Sequence, residues 1–590
     1  MTKFRIMEKI LQKRSPYLVN KAFNSFLLAS ILTVAASQLA ATVDGMMLSF
    51  LVGEQAMSCV NICRPVIQLF YALTMLIGAG SSMLVGMAIG NRDRMKANRI
   101  FSGVMILSLG VSATLLVAGI IGQGAVVNFL CPDQELAGMT ADFFRVVALS
   151  APLFMLSVMM ELFVTVDGSP KRVSMAIVAA TCGNIILDYL FIAVGGWGVK
   201  GAAWATMASY GISVVLLAPH FLKKDTLKLA CKGCLSTLGK SVSEGVPFGI
   251  ATALIAVQLW GNNCVVLEYL GNTGIVALSV CMYLMQISMI ILSGTLKTFQ
   301  PVASILKGAG DRNGVMMAIK RAYKFMAVCF VVFLLPLVFA PRQVAQVFGV
   351  SDPGLLAATA EAIPPFSVDI LLMCMLYLLL PIYQLYGNRK MATFLSVCQS
   401  LAPTLGVWLF AEYCLGSVWW GFAFGQAVTA VFICLFSEIT RRHDRRLSPL
   451  ILVPGPSGYV GFETSIAPSV EHMAEALASA RAFFREKGIS DDMAMRIEVV
   501  SEELVKNIIT HGLKTKKGKR YIDYRVSVKE DSVKLMLCDD ARPFNPVDHA
   551  ERDHLGLTLV HGLCGELKYD YIFHQNMTSV TFYDNPKKWL

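Results

Sequence analysis

Two acidic side chains and an amide interrupt stretches of this chain that are otherwise apolar enough to lie in lipid. In Gly183-Asn184-Ile185-Ile186-Leu187-Asp188, Asn184 and Asp188 are four residues apart, so on a helix they share one face and reach one ion together. A charge inside a membrane span is expensive and marks function by default. Thr206 follows 18 residues after Asp188, and Trp197 of the turn Gly195-Gly196-Trp197-Gly198 falls midway between them. If the flanking helices form an antiparallel hairpin, both residues sit nine residues from the turn. That is about 13 Å deep at ~1.5 Å per residue, not far from the middle of a hydrocarbon core about 30 Å thick. Asp44, nine residues before Gly53-Glu54, lies at a similar level. Two carboxylates, an amide and a hydroxyl at one depth make an oxygen cage for Na⁺ or a proton relay. The competing reading is that Asn184 and Asp188 only hydrogen-bond neighbouring helices; two acids at matched depth weigh against it.

A second constellation lies near the other end. Glu503 and Asn507 are one helical turn apart, the spacing wanted for a Mg²⁺ held by an amide oxygen beside a carboxylate acting as base. Asp539 ends an expected strand, where a carboxylate can accept a hydrogen bond from an adenine amino group. By itself a Glu/Asn pair at this spacing more often marks a solvated helix face.

The elements that must position these residues follow from composition. Of 590 residues 55% are hydrophobic and 15% charged, a membrane protein's balance. Residues 1–446 carry 33 Lys/Arg against 20 Asp/Glu, whereas 447–590 carry 18 against 20. The net positive charge therefore belongs to the membrane part, where it reports orientation, not nucleic-acid binding. Apolar segments long enough to cross occur at 22–50, 57–89, 100–126, 141–164, 173–194, 201–222, 242–270, 273–305, 322–340, 361–386, 391–412 and 418–438. Basic clusters such as Arg92/Arg94/Lys96/Arg99, Lys223/Lys224/Lys228 and Arg441/Arg442/Arg445/Arg446 fall in alternate connections, which places both termini in the cytoplasm. The expected fold is an all-α polytopic membrane protein of twelve transmembrane helices, followed by a cytoplasmic α/β sandwich. Asp93-Arg94 recurs as Asp311-Arg312, Gly168-Ser-Pro-Lys171 as Gly387-Asn-Arg-Lys390, and Gly201-Ala-Ala203 as Gly421-Phe-Ala423, at offsets of 218 to 220. These repeats imply two six-helix halves with a central cavity between them.

The expected boundaries are a cytoplasmic lead-in over 1–21, an amino-terminal half over 22–222, a carboxy-terminal half over 223–440, a linker over 441–458 and a second domain over 459–590. In that domain the pattern predicts strands at 459–466, 521–529, 533–539, 567–574 and 578–583, and helices at 469–487, 491–511 and 555–565. Fifteen scattered cysteines imply no disulfide framework, and the lone Cys231-Lys232-Gly233-Cys234 reads as ordinary reduced thiols in preference to a zinc site. Gly233-Cys-Leu-Ser-Thr-Leu-Gly239-Lys240-Ser241 has five residues between its glycines and no preceding strand, so it is not a phosphate loop. Gln38, Gln258, Asn262 and Gln286 are further polar residues within spans, read as candidates for lining the central cavity. Arg64, Glu161, Asn263 and Glu268 also fall within the spans.

Residues 22–440 resemble the multidrug and toxic compound extrusion (MATE) family in Val43-Asp44-Gly45, Gly78-Ala79-Gly80, Gly90-Asn91-Arg92-Asp93, Gly168-Ser169-Pro170-Lys171, Asn184-Ile-Ile-Leu-Asp188 and Gly198-Val-Lys-Gly201-Ala-Ala-Trp-Ala-Thr206. The resemblance implies export of cationic or amphipathic small molecules by Na⁺ or H⁺ antiport, with Asp44, Asn184, Asp188 and Thr206 as the cation site. It also implies residence in a bacterial cytoplasmic membrane. Some relatives bend the first helix at a proline, and none lies between Pro16 and Asp44 here. Others carry an acid in the second half. Asp369, near the start of the tenth span, reads equally as that acid or as an interfacial residue.

Residues 459–584 resemble the histidine-kinase-like ATPase fold of bacterial anti-sigma-factor serine kinases, in Glu503-Leu-Val-Lys-Asn507, Asp539-Asp-Ala-Arg-Pro-Phe-Asn-Pro546 and Leu555-Gly556-Leu557. This implies Glu503 as catalytic base, Asn507 as Mg²⁺ ligand, Asp539, Arg542 and Gly556 at the nucleotide, ATP and Mg²⁺ as cofactors, and Asn545–Gly556 as a lid. Ala541 and His554 stand where the family has glycines, and a β-carbon restricts the backbone at such places. Two functions remain open: a cation-coupled exporter with a regulatory nucleotide-binding domain, or a membrane-anchored sensor whose tail is a protein serine kinase or a module that binds a cytoplasmic regulator.

Overall fold

The structure, a computed structural model, describes residues 14–131, 134–223, 226–230, 233–413, 417–454, 460–513, 520–529, 531–547 and 555–583. Two compact units divide the chain: one runs from Phe26 to Pro454, and the other joins the residues up to Ser25 with those from Gly455 onward.

Phe26–Pro454 is helical. Among the described residues of the chain, eleven helical stretches are long and apolar enough to cross a bilayer. The longest, Leu235–Gly308, has 74 residues, about 110 Å if straight, far more than one bilayer requires. Within its helix Leu238–Gly308, Gly271 takes φ 61° and ψ −156°, outside the helical region. Gly249 packs on Leu76 and Gly308 on Met87, so both arms return to the same end of the Glu54–Gly90 helix and the chain reverses near Gly271. Eleven stretches thus make the twelve crossings that the apolar segments predict.

The arms meet that helix through glycine. A Cβ on Gly245 would stand 1.8 Å from the Leu76 carbonyl oxygen, and one on Gly80 would stand 2.4 Å from the Gly245 nitrogen. Gly90 and Gly308 repeat the arrangement, each 2.0 Å by the same measure from the carbonyl oxygens of Ile305 and Met87. Small residues allow such backbone contact, which supplies packing where lipid provides no hydrophobic drive between helices. The first helix, Tyr17–Leu51, contains no proline.

The carboxy-terminal unit is a five-stranded antiparallel sheet with helices. Its strands are β1 (Val460–Ile466), β2 (Ile522–Lys529), β3 (Ser532–Asp539), β4 (Glu566–Ile572) and β5 (Gln575–Tyr583), in the order β1-β2-β3-β5-β4. Alternation along the strands turns Phe462, Ile466, Ile522, Tyr524, Leu535, Leu537, Val580 and Phe582 toward one core with Phe484 of helix Val470–Glu486, Ile497, Val500 and Leu504 of helix Asp491–Asn507, and Val560 of helix Leu555–Leu563. The Ser469 and Ser490 hydroxyls accept from the His472 and Met493 amides, so both long helices begin at side-chain caps. Where the pattern predicts helix through 511, the α-helix ends at Asn507 and widens into a π-helical turn over Ile508–Gly512.

Candidate functional site

In the membrane unit the helix Pro170–Asp188 ends on the residue that matters, and Tyr189–Val194 continues it as a π-helical turn. Such turns recur at functional sites because they alter the side-chain register locally. Asn184 and Asp188 are 4% and 1% exposed. Neither carboxylate oxygen of Asp188, nor Oδ1 of Asp44, nor Nδ2 of Asn184 has a hydrogen-bond partner among the described residues. The Asp44 and Asp188 carboxyls nevertheless lie close enough to act on each other. Ionised carboxylates only accept, so this contact becomes a bond only when a proton or a cation lies between them. Two like charges at such a site, Asp188 buried and Asp44 half-buried, carry without such a partner a desolvation cost that nothing offsets.

Thr206 contributes less than its spacing implies. Its hydroxyl donates to the Ala202 carbonyl of its own helix at 3.0 Å, which leaves only oxygen lone pairs for an ion. One turn further on, Tyr210 lies close enough to feel the Asp44 charge and packs edge-on against Phe154, with ring centroids 5.2 Å apart. Aromatic residues are common in spans, so spacing alone gave no reason to single it out.

Asp369 corrects an expectation. It lies half-way along the helical stretch Pro353–Leu385, not near its start, and is 2% exposed. The apolar window began eight residues inside a helix that Asp352 caps and Pro353 opens. Its Oδ1 has no hydrogen-bond partner among the described residues, and Cys281 lies beside it.

The cavity candidates are dispersed. The Asn262 side-chain oxygen accepts from Thr404 Oγ1 at 2.7 Å, an interhelical tie. Gln38 and Gln258 are half-buried and Gln286 is exposed. Of the other intramembrane polar residues, Glu161 has the clearest partner: Lys297, from the arm beyond Gly271, forms an ion pair with it. A cavity of about 40 Å³ beside the pair is lined by Ser82, Thr165, Gln300 and Ser304 as well. Lys297 is hidden within the longest apolar stretch among the described residues. Cys231 lies outside the described residues, while Cys234 is buried.

In the carboxy-terminal unit Glu503, Asn507, Asp539, Arg542 and Gly556 all line one cavity of about 490 Å³, within the size range of small-molecule sites. Asn507 Nδ2 donates to Glu503 Oε1 at 3.1 Å. A Cβ on Gly556 would stand 1.9 Å from that same oxygen, so a side chain there would displace the Glu503 carboxylate from this position. Asp539 is 2% exposed, and its Oδ1 accepts from the Ala541 amide at 2.8 Å and from Asn576 Nδ2 at 2.7 Å. Ala541 is not among the residues with positive φ, and its methyl rests where a side chain on Gly512 would stand, 2.7 Å away. Alanine therefore fits there without backbone strain. His554, and most of the expected lid, lie outside the described residues.

Asn576 is the residue that sequence reading missed. Besides Asp539, its amide donates to the Arg542 carbonyl at 3.1 Å, and its side-chain oxygen accepts from the Phe544 amide at 3.3 Å and the Tyr569 hydroxyl at 2.7 Å. It fixes the Asp539–Phe544 rim. Burial, first among the causes, pushes the Tyr569 phenol up to about 12.

Residues 29–190 match the MatE family model, and residues 466–583 match the model of the histidine kinase-like ATPase domain. The multidrug export protein MepA of Staphylococcus haemolyticus (strain JCSC1435) is 23% identical over 402 residues, 67% of this chain and 88% of that protein. MepA of Staphylococcus aureus (strain MRSA252) is 20% identical over 434 residues, 73% of this chain and 95% of that protein. A MOP superfamily transporter from Pyrococcus furiosus Vc1 (DSM3638) shares the fold with a TM-score of 0.65 at 22% identity, covering 73% of this chain and 98% of that one.

Proposed function

We propose that this chain, in which a MatE domain precedes a histidine kinase-like ATPase domain, is a cation-coupled antiporter of the bacterial cytoplasmic membrane that exports cationic or amphipathic small molecules. In this reading the tail is a cytoplasmic nucleotide-binding domain that regulates transport or reports its state. What carries the proposal is the Asp44–Asp188 pair: two neighbouring acids, with Asn184 one turn away and no protein donor on Asp188 among the described residues. A pair of this kind can exchange a Na⁺ or a proton for substrate, since a single positive charge between the two carboxylates relieves their mutual repulsion.

In the tail, Glu503 and Asn507 would face Mg²⁺ and the phosphates, while Asp539, with Arg542 and Gly556 on the same wall, would hold the adenine end. Bound Mg²⁺ would screen phosphate charge. The chain's own part is to orient the nucleotide and, through Glu503, to accept a proton from an attacking hydroxyl.

The test is dye efflux from proteoliposomes with Na⁺ and pH gradients imposed separately. Asp44→Asn combined with Asp188→Asn should abolish the gradient-dependent component, and undiminished efflux would sink the exporter reading. The contact of Gly556 with Glu503 favours a second activity, phosphorylation of serine on a cytoplasmic partner. Labelled ATP should then mark a co-purifying protein, and Glu503→Ala should erase the label.

A further inference from the structure

The helices of the carboxy-terminal unit cover one face of its sheet. On the opposite face side chains alternate outward at Glu463 and Ser465 of β1, Asp523 of β2, Asp540 just after β3 and Gln575 of β5. Three of these five are acids, and all five bind the start of the chain. The Arg14 guanidinium meets Asp523 at 2.7 Å and Glu463 at 3.6 Å, with side chains 5%, 1% and 7% exposed. The Ser15 amide donates to Ser465 Oγ at 2.9 Å, and that hydroxyl donates to Asp523 at 2.7 Å. Gln575 Nε2 donates to the Leu18 carbonyl at 2.8 Å. Asp540, its side chain fully buried, accepts from the Tyr17 hydroxyl at 3.0 Å and from the Lys21 ammonium, beside Arg520 at 2.9 Å. Leu18, Val19, Ala22 and Phe23 are all buried.

We propose that the acidic patch of Glu463, Asp523 and Asp540 on this face is a docking surface whose partner is the chain's own segment Arg14–Ser25, which brings Arg14 and Lys21 to it, and that nucleotide in the cavity of the opposite face controls how firmly the segment is held. The proposal rests on reading that cavity as a nucleotide site. Its structural basis is the placement of the two inner anchors. Asp540 stands between Asp539 and Ala541, and Gln575 precedes Asn576; Asp539, Ala541 and Asn576 all line the cavity. Neighbouring residues on a strand point to opposite faces, so a ligand that moves Asp539 or Asn576 moves the groups gripping Lys21, Tyr17 and Leu18. Arg14 and Ser15 bind further along β1 and β2 and act as a fixed tether. Docking a basic segment on carboxylates also explains three acids buried on a sheet face, which would otherwise be costly. Tyr17 opens the same continuous helix that carries Asp44, so the grip is applied to an element of the proposed cation site.

The experiment uses the full-length protein in nanodiscs, with amide hydrogen exchange over residues 15–25 and a titration with fluorescent ATP and Mg²⁺. Saturation should change exchange of that segment about 5- to 150-fold, the usual span of coupling between sites. Asp539→Asn should remove the response. Lys21→Ala with Tyr17→Phe should shift nucleotide affinity by the same factor, because coupling is reciprocal, while Lys21→Arg should retain the wild-type value. Tight nucleotide binding with unchanged exchange, and with unchanged affinity in the double variant, overturns the docking control and leaves the nucleotide site standing. Absence of any nucleotide binding overturns both.

Discussion

Nδ2 of Asn576 donates to Oδ1 of Asp539 at 2.7 Å, joining the end of β3 to the start of β5 where the cavity of the carboxy-terminal unit opens. Because Asn576 also serves Arg542, Phe544 and Tyr569, its loss unmakes several bonds at once. Asn576→Ala should lower stability of the carboxy-terminal unit by about 1–3 kcal/mol, the cost of leaving buried polar groups unpaired. It should also weaken nucleotide binding more than Arg542→Ala does. Chemical denaturation followed by tyrosine fluorescence, and nucleotide titration, check the two halves of this expectation.

Asp188→Asn separates coupling from folding. Neutralising buried Asp188 beside half-buried Asp44 removes charge that the fold must otherwise accommodate, so thermal stability should be unchanged or higher while gradient-driven efflux falls to background. A large fall in the melting temperature would mean that Asp188 is structural.

The Glu161–Lys297 pair should behave in the opposite way. Removing one partner leaves a charge without its counter-ion inside the helical unit; with Lys297 about one-third exposed, Glu161→Gln or Lys297→Met should cost about 1–3 kcal/mol. The double variant should recover part of that loss, and a double-mutant cycle by thermal unfolding measures the coupling. Additive losses would show that the pair contributes nothing as a pair.

Acid should loosen the Asp540 contacts. Burial opposes the charge of this carboxyl, but hydrogen bonds from Lys21 and Tyr17 and the charges of Lys21 and Arg520 hold it below its ordinary value. A depressed folded-state value contributes stability that is complete above the unfolded pKa of about 3.9. That contribution fades as pH falls below this point through the folded value. Exchange of residues 15–25 should therefore rise as the pH is lowered through that window in the wild type, with a smaller pH response in Asp540→Asn.

Much of the site was legible because its chemistry contradicts its surroundings. Asn184 and Asp188 interrupt an apolar run, and Glu503, Asn507, Asp539 and Gly556 sit in local patterns with definite spacing. The rest depended on distance or context. Lys297 is a single residue in a long apolar window whose counter-ion is 136 positions away. Asn576 looks like any polar residue on an alternating strand, and its importance comes from which loop it faces. In the sequence Asp369 falls near the start of a span because hydropathy marks where apolar sequence begins, while the helix begins at its cap. Arg14–Lys21 reads as a cytoplasmic preface to the first span, since nothing local in it reveals partners some 450 to 560 positions away.

The paired glycines at Gly80/Gly245 and Gly90/Gly308 put main chain against main chain, with no side chains meshed between them. A seam of that kind tolerates added bulk not at all: a single extra methyl group at Gly245 would meet the Leu76 carbonyl oxygen and wedge the two helices apart.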